Sequence, residues 1–271
     1  MSDEFCRISG VIARKANSAV IFRRGPSRYC QMLLWDLTND HIEEGQWLRA
    51  KVETDTIVVS DDARYIAYEA YDYKRASRRA EKNMNRWIAV SKPPFFTAIG
   101  LWHSTGYIWE PLAKPETNLK VNKLPPEVLE LANRITHDRY QAALAAQGWH
   151  LTFDASETDW KSRYRAGKST VSLQKAFGVA TAQYQIFMSK SHQMVRTVTL
   201  VDSLTNPILT LNPGPDKPIW IDVDNSGRLV YADKGCLFAW RDFPNGKPQL
   251  IADLNPNIFE NIPPPDWALG P

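Results

Sequence analysis

Residues 219–254 read IWIDVDNSGRLVYADKGCLFAWRDFPNGKPQLIADL. Residues 219–223 alternate apolar and polar side chains, the period of a half-buried strand. Asn225-Ser226-Gly227 then supplies a turn, and residues 228–232 (RLVYA) resume a strand. Asp233-Lys234-Gly235 makes a second turn before residues 236–242 (CLFAWRD), and Pro244-Asn245-Gly246-Lys247 a third before residues 249–254 (QLIADL). Short strands joined by tight Gly- and Asn-bearing turns fold as an antiparallel meander.

The same cadence runs through the N-terminal part. Residues 18–23 (SAVIFR), 29–37 (YCQMLLWDL), 55–60 (DTIVVS) and 64–71 (RYIAYEAY) read as strands separated by polar turns. Two passages repeat in degenerate form. Residues 60–68 (SDDARYIAY) match residues 224–232 (DNSGRLVYA), each a polar turn, an Arg and an apolar strand. Leu34-Trp35-Asp36 matches Ala239-Trp240-Arg241-Asp242. Residues 87–91, 95–102, 107–109, 149–153, 169–173, 194–201 and 207–211 add further strands, the last two as a hairpin, and 174–188 reads equally as helix or strand. The middle changes period. Pro125-Pro126-Glu127 opens a helical pattern with Val128, Leu131 and Ile135 on one face, and a second turn set over 140–147 ends at Gly148, a C-cap residue.

These passages resemble blades of WD-like β-propellers, in which a turn of the form S-x-D-G-R leads into an inner strand and a later strand carries a W-D-like pair. Ala63 stands where a turn Gly is usual, and no Gly-His pair opens a blade. The chain is also similar to bacterial proteins of unassigned function that carry RRGPS, LLWD and EGQW, here residues 23–27, 33–36 and 44–47. In general form it is similar to bacterial propeller-like accessory proteins of conflict and defence operons. The resemblance implies a mainly β, propeller-like ring of four-stranded meanders, about five blades in a single domain over residues 1–271. A helical insert over 122–148 and a Pro-rich tail over 261–271 interrupt that pattern.

Composition narrows the classes. Of 271 residues, 44% are hydrophobic and 23% charged, as in a packed globular chain. Ten each of Trp, Tyr and Phe suit the pleated faces of strands. A net charge of +3 is too small to mark a nucleic-acid binder by itself. Cys6, Cys30 and Cys236 are odd in number, with no CxxC pair, so reduced thiols are expected rather than a zinc site or disulfide framework. The first residues lack the apolar core of a signal peptide, and no apolar run approaches the roughly 20 residues of a membrane span. A cytoplasmic protein without membrane contact is the expectation.

No catalytic signature emerges. Ala166-Gly167-Lys168-Ser169-Thr170 looks like the end of a phosphate loop, but Ser162 occupies the first Gly position and the residues leading in are polar, so a hairpin turn is expected. His41, His103, His137, His150 and His192 show no metal-ligand spacing, and no GxSxG is present. Carboxylates gather at Asp55, Asp61 and Asp62 and at Asp154, Glu157 and Asp159, which leaves open a hydrolase with paired carboxylates at a central funnel. No cofactor and no metal are expected.

The non-blade segments carry the expected contacts. Lys74, Arg75, Arg78, Arg79, Lys82 and Arg86 set six cations against Glu81 alone. Such a loop attracts an acidic protein or, as the alternative, nucleic acid. Trp267 follows Pro263-Pro264-Pro265 in the tail and either packs back on the body or anchors a partner. The reading is a non-catalytic interaction or scaffold module for a protein partner, with its oligomeric state open.

Overall fold

The computed structural model describes residues 5–25, 29–72, 86–103, 124–136, 144–145, 147–152, 170–179, 182–191, 194–211 and 219–270. The described residues are mainly β, in four antiparallel meanders. The first joins β1 (Arg7–Ile12), β2 (Ser18–Arg24), β3 (Cys30–Asp36) and β4 (His41–Leu48) in sequence order. The second joins β5 (Lys51–Val59), β6 (Ile66–Tyr71), β7 (Arg86–Ser91) and β8 (Ala98–His103). The third has five strands: β9 (His150–Thr152), β10 (Thr170–Val179), β11 (Ala182–Ser191), β12 (Met194–Asp202) and β13 (Pro207–Leu211). The fourth joins β14 (Trp220–Val223), β15 (Leu229–Asp233), β16 (Cys236–Trp240) and β17 (Gln249–Asp253). Helix α1 (Pro126–Thr136) lies between the second and third sheets in the sequence.

About five four-stranded blades were expected, whereas four sheets form among the described residues, and none closes into a ring. The stretch 174–188, ambiguous from sequence, is strand. It pairs as the long strands β10 and β11, which join β9 and the hairpin β12–β13 in one sheet. The strand expected at 107–109 and the turn expected at 165–168 lie outside the described residues.

The chain divides into two compact units, one of residues 1–6, 10–143 and 254–271, the other of residues 7–9 and 144–253. In the first, the sheets β1–β4 and β5–β8 pack through a core that includes Val20, Phe22, Met32, Val52, Ile66, Tyr68 and Phe96. Each such side chain contributes about 1.5–3 kcal/mol when fully buried. The opposite face of β5–β8 carries Val58, Ala67, Ile88, Val90 and Ile99, and α1 covers it. The helix lays Val128, Leu131, Ala132 and Ile135 on that face, all buried, as the i, i+3, i+7 spacing requires. Pro126 sits in the first turn, where its missing N–H costs nothing, and Glu127 and Arg134 suit the helix dipole.

In the second unit, Leu173, Tyr184, Ile186, Met188, Val198 and Leu200 of the third sheet pack with Ile221, Leu229, Tyr231 and Trp240 of the fourth. Gly148 takes φ 78° and ends the helical turn at Leu144-Ala145. There Gly148 N–H bonds Ala145 O and Trp149 N–H bonds Leu144 O, the paired bonds of a Schellman cap.

The two sequence repeats are repeats of structure. Gly227 takes φ 84° and Ala63, at the matching place, φ 61°. Both close the same hydrogen bond, Gly227 N–H to Asp224 O and Ala63 N–H to Ser60 O. The indole of Trp35 donates to Asp40 Oδ1 and that of Trp240 to Asn245 O, each five residues downstream. Each Trp lies near the end of the third strand of its sheet.

Candidate interaction surface

Residues 254–269 form a strap on the first unit, held by side chains that include Arg23 of the RRGPS stretch and Gln46 and Trp47 of the EGQW stretch. Arg23, from the RRGPS stretch, is buried at the end of β2. Its Nε donates to Leu254 O (3.0 Å) and Nη2 to Asn255 O (3.2 Å). Asn255 Oδ1 accepts from Cys6 N–H (2.9 Å), and Asn257 Nδ2 donates to Gln31 Oε1 (2.9 Å). Gln31 in turn donates to Glu44 Oε2 (3.1 Å).

The EGQW stretch does most of the remaining work. A Cβ on Gly45 would overlap the carbonyl oxygen and Cβ of Pro94 and come within 2.7 Å of Met32 O. Only Gly lets β4 pass that close. Gln46 N–H then bonds Pro94 O (3.0 Å), and Gln46 Oε1 accepts from both Thr97 N–H and Thr97 Oγ1 (3.0 Å each). Gln46 Nε2 donates to Ile262 O on the strap (3.0 Å). Trp47 stands beside Phe259, ring centroids 6.3 Å apart, with the Arg23 guanidinium over its indole at 5.3 Å. Tyr29 stacks at a tilt on Phe259 at 4.4 Å, and Arg49 lies over Tyr29. The LLWD stretch contributes Leu33 and Trp35 to the interior.

Beyond Ile262 the chain runs through Pro263-Pro264-Pro265, and Pro265 has polyproline angles (φ −69°, ψ 160°). A 3₁₀ turn over Asp266–Ala268 buries Ala268. Lys92 Nζ donates to Trp267 O (2.9 Å), and the Trp267 ring meets Phe95 edge-on at 5.3 Å. Trp267 thus packs back on the body and is still 52% exposed. Ile258, Phe259 and Leu269 are also exposed, so one anchored segment presents four large apolar side chains to solvent.

Of the expected contact residues in the basic loop, Lys74, Arg75, Arg78, Arg79 and Lys82 lie outside the described residues. Arg86 is described, and the structure gives it an internal partner. Its Nε and Nη2 form a two-pronged bond to Glu69 (2.7 and 2.8 Å), whose carboxylate is almost fully buried. Its guanidinium also lies over Tyr71. Tyr71 and Arg86 are paired across β6 and β7, so the basic segment leaves and returns at neighbouring positions. Trp267 instead meets Phe95 and Lys92. Ile258, Phe259 and Leu269 were not singled out from sequence. Their signal is the absence of alternation in an apolar stretch between prolines.

In the first carboxylate cluster, Asp61 and Asp62 serve a turn and ion pairs. Asp62 accepts from Ser60 Oγ and Arg64, and Asp61 pairs with Lys15. The cluster at Asp154, Glu157 and Asp159 lies outside the described residues. A deeper polar group occurs in the second unit. Asp222 is buried against Lys175 Nζ, which also donates to Gln147 O (2.9 Å). Burial pushes the Asp222 carboxyl up, and the Lys175 ammonium offsets only part of that. Asp224 accepts from Arg228 Nε (2.6 Å), Arg228 N–H, Ser226 N–H and Ser226 Oγ. These charges are paired and their bonds made, which is the condition for burying them. Among the described residues, no group of three His, Cys, Asp or Glu side chains is placed to hold a metal ion. All three cysteines are free thiols, and burial pushes Cys30 up to about 12. Among the described residues, no helix is long and apolar enough to cross a membrane.

No protein-family model matches the chain, and no curated protein matches it.

Proposed function

We propose that the chain is a non-catalytic protein-interaction module, built as a propeller-like stack of diverged blades that presents its C-terminal strap to a protein partner. Sequential antiparallel meanders support the blade reading, as do the matched turns at Ala63 and Gly227 and the matched indole bonds of Trp35 and Trp240. So does burial of both faces of β14–β17, with Ile221, Leu229 and Tyr231 on one side and Val230, Ala232, Leu237 and Ala239 on the other.

The observation that carries the functional reading is the strap. It is fixed by at least five hydrogen bonds with the body, at the Cys6 backbone N–H and the side chains of Arg23, Gln31, Gln46 and Lys92, yet leaves Ile258, Phe259, Trp267 and Leu269 exposed. A segment held only for stability would turn those side chains inward. A segment already fixed loses little further entropy when a partner covers it. The cations of residues 74–86, joined to the body next to the paired Tyr71 and Arg86, would add attraction for an acidic partner.

The test compares the wild-type chain with a variant carrying Ile258→Ser, Phe259→Ser, Trp267→Ser and Leu269→Ser in quantitative affinity capture from the native host. The reading predicts one stoichiometric partner held by the wild type at moderate salt and lost by the variant. Equal retention by both chains, or no stoichiometric partner for either, would sink it.

A further inference from the structure

The third sheet has a second face, opposite the one that packs into the core of the second unit. Leu173, Ile186, Val198 and Leu200 point into the core of the second unit. Strand alternation sends the intervening residues to the other side. There the register aligns His150, Gln174, Phe187, Thr199 and Thr210 in one unbroken row across all five strands. Ala176 and Gln185 are paired in the next row, which runs on to the buried Val201, and Ser172 stands in the row on the other side. His150, Ser172, Ala176, Phe187 and Thr210 are exposed, and Gln174, Gln185 and Thr199 half-buried.

No Asp, Glu, Lys or Arg stands in these rows, although 23% of the chain is charged. Solvent-facing sheet surfaces are ordinarily where charges are placed. What the face offers instead is hydroxyls and amides, each able to donate and accept. Phe187, 39% exposed, provides one flat apolar ring among them.

This chemistry narrows the ligand. An ionic ligand finds no Asp, Glu, Lys or Arg in these rows. A purely apolar one would cover the Gln174 and Gln185 amides and leave their hydrogen bonds unmade, which is costly. A ligand that satisfies both features has an apolar C–H face rimmed by hydroxyls. We propose that this face binds a neutral saccharide chain, with a sugar ring stacked on Phe187 and its hydroxyls bonded by Gln174, Gln185, Thr199 and Thr210. Neighbouring strands lie about 4.8 Å apart, so polar groups recur along the row at roughly the length of one sugar ring. The side chains are presented by paired strands over a packed core, which limits the ordering cost of binding. The inference is independent of the strap and of any protein partner.

The experiment is affinity gel electrophoresis of the full chain through gels containing hydroxyethylcellulose, glycogen or galactomannan, with polygalacturonate as an anionic comparison. At least one neutral polysaccharide should retard the wild type, and the retardation should survive about 0.5 M NaCl, where charge attraction is screened within a few ångströms. Phe187→Ala should weaken binding about tenfold, the scale of one lost aromatic contact, and Phe187→Tyr should retain it. Gln174→Ala and Gln185→Ala should each weaken it severalfold. Melting curves check that each variant is folded; the substituted positions are exposed or half-buried. Free migration of the wild type in all three neutral gels overturns the proposal, as does retardation unchanged by Phe187→Ala. So does a result in which Phe187→Ala alters only the sedimentation of the chain, which would make this face a contact between protein copies.

Discussion

Gly45→Ala is the sharpest perturbation of the strap. The added methyl would overlap two atoms of Pro94 and sit 2.7 Å from Met32 O, so backbone on both sides must yield. Overpacking of this kind costs about 1–3 kcal/mol. Relief requires β4 to move off residues 94–97, which breaks Gln46 N–H to Pro94 O and the two Thr97 bonds to Gln46. It also frees Ile262 O from Gln46 Nε2. Four bonds at about 1 kcal/mol net each put the cost of that relief at about 3–5 kcal/mol. That is a large share of the 5–15 kcal/mol typical of a folded domain. Urea unfolding followed by Trp fluorescence should show a midpoint about 1–2 M lower. Two compact units need not unfold together, so the local readout is chymotryptic cleavage after Phe259 and Trp267, which should accelerate below the transition. Gly270→Ala is the control: a Cβ there meets nothing within 4 Å, and the change should stay within about 0.5 kcal/mol. A Gly45→Ala protein as stable as the control, with its strap equally resistant, would show that the close approach at Pro94 does not hold the strap.

Ala63→Gly should stabilise the chain by about 0.5–1 kcal/mol, because Ala63 holds φ 61° at the cost of a left-handed backbone; Gly227→Ala should lose a similar amount, and differential calorimetry reads both. Glu69→Gln should cost about 3 kcal/mol in chemical denaturation, since it leaves the Arg86 guanidinium without its buried carboxylate. The Cys30 thiol, raised from 9.0 to about 12 by burial, should resist alkylation at pH 8.5 in the folded protein and react on unfolding. Because the folded state holds that proton more tightly, the contribution is complete below pH 9 and is lost as pH rises toward 12; stability measured over that window should fall less steeply for Cys30→Ala than for the wild type.

The parts of the fold that were readable from sequence are those whose turns declare themselves. Gly227, Gly235 and Gly246 all take positive φ, and they separate the strands of the fourth sheet where the Gly-bearing turns of 219–254 place them. Beside them, β4 went unread. HIEEGQWL mixes charge with a buried Gly, so it shows no alternation, and its strand character comes from pairing with β3 and the approach of Pro94. The stretch over 174–188 reads as helix or strand for the opposite reason: Gln, Lys and Ala favour helix locally, and the register with β12 and the core face decide for strand. The candidate surface divides along the same line. Arg86 belonged to a visible run of cations, but its bond to Glu69 depends on strand pairing that charge counting does not register. Trp267 was visible as an aromatic after prolines, yet sequence offered packing and partner-anchoring as alternatives. An edge-on contact with Phe95 removes that opposition, because it immobilises the ring while covering only part of it. An immobilised, half-exposed Trp beside three exposed apolar neighbours is costly to leave in water and cheap to dock. Serine substitution at these four positions therefore tests function, whereas Gly45→Ala tests only what holds them in place.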